Sequence, residues 1–122
     1  MGRKARLDLV LDCAEPQLLE AFWRDALGYR SYFSSESHVV LVPDDDSSAS
    51  PLVLQQVPEP RVGKNRMHVD LVTEDIEGEV RRIVELGATR LHEGIQRAGE
   101  VRWVTLADPV GNELCVCTGV EW

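Results

Sequence analysis

The stretch Leu7-Asp8-Leu9-Val10-Leu11 returns as Met67-His68-Val69-Asp70-Leu71, an offset of 60 in a chain of 122 residues. Each copy alternates side chains, passes an acidic turn and enters a segment with apolar residues at helical spacing. In the first copy Glu15-Pro16 places a proline where a helix's first turn tolerates it. Leu18, Leu19, Phe22 and Ala26 form the apolar stripe and Gly28 follows, which predicts a helix over Pro16–Leu27. In the second copy Asp75 is the N-cap, Glu77 and Glu79 suit the positive end of the helix dipole, and Ile76, Val80, Ile83 and Val84 make the stripe. Gly87 ends it, which predicts a helix over Asp75–Leu86.

Three β-prone runs follow each helix: Arg30–Phe33, His38–Val42 and Leu52–Val57, then Thr89–His92, Val101–Leu106 and Glu113–Thr118. The expected fold is α+β, with tandem βαβββ modules over residues 1–60 and 61–122 making a single domain. The modules are expected to form a curved mixed sheet with both helices on its convex face and a concave ligand cavity on the other. Asp44–Ser50 reads as a polar hairpin loop, Asp108-Pro109-Val110-Gly111-Asn112 as a tight turn, and Pro58-Glu59-Pro60 with Gly63 as the linker.

Composition narrows the function. With 13 Lys and Arg against 21 Asp and Glu, the formal charge is −8. Such a field repels phosphate backbones and anionic membranes, so nucleic acid is not an expected partner. No run approaches the roughly 20 apolar residues of a membrane span, and Asp8 and Asp12 break the only stretch that could serve as a signal-peptide core. Cys13, Cys115 and Cys117 are an odd number of thiols without a secretion signal. They read as reduced, in a cytoplasmic protein.

A side-chain period of two assigns the faces. Leu7, Leu9 and Leu11 should pack under the first helix, leaving Arg6, Asp8, Val10 and Asp12 opposite. Met67, Val69 and Leu71 should pack under the second, leaving Arg66, His68 and Asp70 opposite. In the last strand Leu114 and Val116 belong to the helix side and Cys115 and Cys117 to the open side. The offset of 60 makes Gln55 the counterpart of Cys115, so Asp8, Gln55, His68 and Cys115 are expected to converge on the concave face.

These features, with Lys64–Leu71, Glu85-Leu86-Gly87-Ala88 and Asp108–Glu113, and with Leu11–Pro16 and Ala21-Phe22-Trp23 before Leu27-Gly28, resemble the vicinal oxygen chelate superfamily and its glyoxalase-like domain group. The resemblance covers nearly the whole chain and implies the fold, a small-molecule ligand and a homodimer. It does not specify the reaction, because the superfamily includes lyases, epimerases, dioxygenases, thiol transferases and drug-sequestering proteins. Carried over position by position, the superfamily's metal ligands fall on His68, Asp8, Gln55 and Cys115, of which only His68 is a customary residue. Glu113 neighbours the last position but points to the other face.

A carboxylate, an amide, an imidazole and a thiolate do not suit magnesium, manganese or iron, whereas zinc accepts Cys, His and Asp. A divalent metal is thus one expectation, and a metal-free pocket of mutually bonded polar groups is the other. Proton chemistry would fall to His68, Asp8 and Asp70, with Arg66, Asp12 and Trp103 as substrate contacts. Arg66–Asp70 and Arg6–Asp8 read equally as surface ion pairs, and Trp23 and Trp103 as packing residues. Cys115 as a nucleophile lacks an evident orienting partner, and Asp44–Asp46 lacks the spacing of a calcium loop. The functional expectation is an enzyme of lyase or isomerase type with an atypical or absent metal site. Its alternative is a non-catalytic binder of a drug or metabolite, as in bleomycin resistance.

Overall fold

The computed structural model describes residues 8–45, 49–58, 60, 62–63 and 68–119. Arg6, Leu7, Arg66 and Met67 lie outside the described residues. Hydrogen bonding sorts the strands into two mixed sheets, one in each of two compact units, Met1–Pro60 and Arg61–Trp122.

In unit one the chain runs β1 (Leu9–Cys13), α1 (Pro16–Leu27), β2 (Tyr29–Ser34), β3 (His38–Pro43) and β4 (Leu52–Gln56), with sheet order β1-β4-β3-β2. β1 lies parallel to β4, and the other pairs are antiparallel. A parallel pair needs a crossover, and α1 is that crossover, covering one face of the sheet. Pro16 opens α1. Gly28 closes it in the left-handed region at φ 69°, where its N–H bonds the Arg24 carbonyl. Leu19, Phe22, Trp23 and Ala26 are buried on α1, as are Val39, Leu41, Leu52 and Leu54 on the strands.

Leu18 departs from the expected stripe and is 59% exposed, whereas Trp23 is 1% exposed and meets Phe22 edge-on at 5.2 Å between ring centres. Positions 19, 22, 23 and 26 complete the i, i+3, i+4, i+7 row, and residue 18 sits one step round the helix from it. Trp23 is therefore a core residue. Along β1, Leu9 and Leu11 are half-buried while Val10 and Asp12 are exposed, the alternation expected of a strand with one covered face.

Unit two runs β5 (Val69–Val72), α2 (Ile76–Leu86), β6 (Thr89–Arg90), β7 (Gln96–Ala98), β8 (Val101–Ala107) and β9 (Glu113–Thr118). The sheet order is β5-β9-β8-β6, with β7 also on β8, and β5 is parallel to β9. Asp75 caps α2 by accepting the Gly78 N–H at 3.0 Å. The strand expected over Thr89–His92 stops at Arg90, and β7 is an added strand. The reason is visible at β8: the Thr105 N–H donates to His92 Nε2 at 2.9 Å, so an imidazole replaces a ladder carbonyl. The Arg90 guanidinium holds the resulting turn by donating to the His92 and Gly94 carbonyls at 2.9 and 2.7 Å.

The registers refine the duplication. Leu9 pairs with Leu52, but Val69 pairs with Leu114, so the first strands repeat at 60 and the last strands at 62. Cys115 therefore corresponds to Val53, and Gln55 corresponds to Cys117, which corrects the equivalence expected from a uniform offset. A shift of two residues preserves strand parity, so the face assignment stands.

Asp75→Ala removes a cap that a side chain makes, and should lower stability by about 1 kcal/mol in urea unfolding. Glu15→Ala at the equivalent position of α1, where no side-chain cap bond exists, should cost much less.

Candidate functional site

β5 and β9 lie side by side with Asp70 paired to Cys115 and Val72 to Cys117. β8 lies on the other side of β9, with Thr105 paired to Cys115 and Trp103 to Cys117. Residues directly paired share a face, so Asp70, Cys115, Cys117, Thr105 and Trp103 occupy the face away from Leu114 and Val116, which are fully buried. The start of β9 is fixed by the turn before it. Asp108, 3% exposed, accepts the N–H groups of Val110 and Asn112 at 3.0 and 2.9 Å and the Asn112 side-chain amide at 3.1 Å. This buried carboxylate is consumed by the turn, which sets where Cys115 begins its row.

Three unlike donors meet on that face. His68 Nε2 lies 3.0 Å from Asp70 Oδ1, and the ligand atoms of His68, Asp70 and Cys115 all lie within 4.8 Å of one another. Thr105 Oγ1 is 3.5 Å from Cys115 Sγ. His68 and Asp70 are open to solvent, whereas Cys115 and Cys117 are buried. Burial pushes the Cys117 thiol above its ordinary range, and the negative charges of Asp70 and of a Cys115 thiolate push the same way.

Unit one presents a different face. A bulge between Ser31 and Phe33 interrupts the β2–β3 register, and Tyr32 and Phe33 both line one concavity of about 540 Å³ with Val40, Val42 and Val53. Asp8 and Pro51 complete its rim. Gln55 is elsewhere on the sheet. It pairs with Asp12, and its amide donates to Asp12 Oδ1 at 3.2 Å. The parallel register puts Asp8 and Gln55 four residues apart along β1 and β4, about 13 Å at the rise of a strand. Unit one thus does not bring together the two residues that were expected to share an ion. The physical reason is the register, which gives Gln55 to Asp12.

The described part of the chain, from its first strand to its last, agrees with one family. The glyoxalase-like domain family model matches residues 8–117. The chain belongs to the glyoxalase-like domain family.

No curated protein matches the glyoxalase-like domain chain. Its fold is shared with solved structures at low identity. A glyoxalase/bleomycin resistance protein/dioxygenase family enzyme from Burkholderia phytofirmans PsJN superposes with a TM-score of 0.75 at 14% identity, covering 95% of this chain and 100% of that one. A fosfomycin resistance protein from Mesorhizobium loti gives 0.71 at 12% identity, covering 98% and 95%. A lactoylglutathione lyase from Agrobacterium tumefaciens gives 0.67 at 21% identity, covering 98% and 96%. No helix among the described residues is long and apolar enough to cross a membrane.

Within this glyoxalase-like domain, the donor chemistry at His68, Asp70 and Cys115 fits a zinc-type ion. Zinc bonds of about 2.0–2.3 Å in a tetrahedron set ligand atoms roughly 3.3–3.8 Å apart. The three donors lie within 4.8 Å of one another, close to that spacing. Three protein ligands would leave a fourth position for water or substrate, as in reactive zinc sites. Thr105, His92, Tyr32 and Phe33 were not singled out from the sequence. Thr105 shares the parity of Trp103 on β8, which was the available signal, whereas the roles of His92 and of the two aromatics follow from an irregular ladder.

Asp70→Asn removes a negative charge beside Cys117, so the thiol should ionise more readily. Alkylation of Cys117 by iodoacetamide at mildly alkaline pH, followed by peptide mass spectrometry, should be faster in the variant.

Proposed function

We propose that this glyoxalase-like domain is an enzyme of lyase or isomerase type acting on a small molecule, with its reacting centre at His68, Asp70 and Cys115. The observation that supports this reading is the approach of an imidazole, a carboxylate and a thiol to within 4.8 Å on the open face of β5 and β9. A zinc-type divalent cation held by these three residues would supply Lewis acidity toward a substrate oxygen. The 3.0 Å contact of Asp70 with His68 holds the two side chains together and would give way to ligation, and Thr105 Oγ1 lies 3.5 Å from the Cys115 sulfur. Trp103, one step along β8, offers an aromatic surface beside Cys117 for a planar part of the substrate. The same reading takes the protein as a cytoplasmic homodimer, with reduced thiols and with exposed Val10 and Phe33 on the uncovered face of unit one.

A second reading is supported by the concavity of unit one. Its Tyr32, Phe33, Val40, Val42 and Val53 lining, with Asp8 at the rim, suits an apolar ligand bearing a cationic or hydroxyl group. A protein using only that surface would sequester a drug or metabolite without chemistry.

Zinc and cobalt titrations of metal-stripped protein separate the two. The enzyme reading expects one equivalent of metal per chain, binding abolished in His68→Ala, and at least a tenfold loss of affinity in Cys115→Ser. The cobalt form should show thiolate-to-metal charge-transfer absorption that disappears in Cys115→Ser. Wild-type protein that takes up neither metal would leave the sequestering reading. Sedimentation at tens of micromolar, well above the dissociation constant of a stable dimer, should give twice the chain mass.

A further inference from the structure

The other face of the unit-two sheet carries a polar row that the reacting centre does not use. Arg97 of β7 stands directly opposite Arg102 of β8, and Arg102 stands directly opposite Thr118 of β9. Strand parity settles the face. Arg102 alternates with the buried Val104 and Leu106 on the helix side, whereas Trp103 and Thr105 lie with Cys115.

Like charges directly opposed across a ladder weaken it. Here the opposed pair persists in a chain with 21 acidic residues to neutralise it, and among the described residues neither guanidinium has a hydrogen-bond or ion-pair partner. The row opens into a concavity of about 390 Å³ lined by Arg97, Arg102, Thr118, Gly99, Glu100 and Gly119. Gly119 has φ 84°, and a β-carbon there would run into the Glu100 carbonyl, so the floor of this concavity is closed by bare backbone.

We propose that Arg97, Arg102 and Thr118 form a binding site for a phosphate-type oxyanion, either inorganic phosphate or the phosphoryl group of a small phosphomonoester. Two guanidinium forks match the oxygens of phosphate in bidentate geometry, and a hydroxyl supplies a third donor. A dianion offsets both cations at once, which a single carboxylate does not. Glu100 lines the same concavity and opposes the anion, so it lowers the affinity that the arginines confer. The site is on the opposite face of the sheet from His68 and Cys115 and is independent of the reaction assigned there.

The test is isothermal titration of the full chain with inorganic phosphate and with phenyl phosphate at constant ionic strength. Wild-type protein should bind one equivalent, Arg97→Gln and Arg102→Gln should each weaken binding at least tenfold, and Glu100→Gln should strengthen it several-fold. Phenyl phosphate binding more tightly than phosphate assigns the site to a phosphomonoester, and equal affinities assign it to the free ion. Thermal unfolding without phosphate guards against misfolding. Arg102→Gln should melt no lower than wild type, because it relieves repulsion. No binding by wild type, equal binding by wild type and the Arg97→Gln/Arg102→Gln double variant, or a lowered melting temperature of Arg102→Gln would each overturn the proposal.

Discussion

Parallel pairing between the first and last strand of each module dictates where the helices, the core and the open faces lie. β1 against β4 and β5 against β9 are the only parallel pairs among the described strands. A parallel pair cannot be closed by a tight turn, so a helix must cross over and cover one face. The covered face then collects the apolar residues: Leu52 and Leu54 in unit one, Leu114 and Val116 in unit two. The uncovered face is left to other chemistry. The same pairing sets His68 and Asp70, near the start of the second module, beside Cys115, near its end, although more than 40 residues of chain separate them.

The duplicated units use their open faces differently. Unit one presents Phe33, Val40 and Val53 about a concavity with Asp8 at its rim, and an exposed Val10 on β1. Unit two presents His68, Asp70, Cys115 and Thr105 at matching strand positions, with hydrogen-bonding and ligating atoms close together. One backbone plan thus yields an apolar surface in one copy and a polar, reactive one in the other. The difference lies in a handful of side chains at matching positions of paired strands. Even the buried Asp108 belongs to that scaffold, because its carboxylate is occupied by three donors of its own turn.

The metal question also turns on local chemistry. Cys115 occupies a position at which the resemblance places a metal ligand but not customarily a thiol, and this makes the site soft on one side. Asp70, expected to act as an acid or base, lies close enough to His68 and Cys115 to complete a three-donor set. Gln55 is given to Asp12 instead of to a shared ion.

Local elements and strand faces are properties of the chain segments that form them. Pro16, Gly28 and Asp75 carry their conformational preferences with them, so the span of α1 and the cap of α2 are legible in the sequence, and strand parity sets Asp8, Gln55, His68 and Cys115 each opposite the helix-packed residues of its own strand. Register comes from the assembled sheet. A repeat of 60 in the first strands becomes 65 between β3 and β8, because the segment around His92 and Gly94 is extruded and β7 is added, and falls to 62 in the last strands, because the turn before β9 is three residues shorter; no periodicity records such changes. The bulge at Tyr32, which brings two consecutive aromatics to one concavity, is likewise a property of the strand against its partner. Propensity and alternation are carried by a segment of chain, whereas register is fixed only when two distant segments meet and exchange hydrogen bonds.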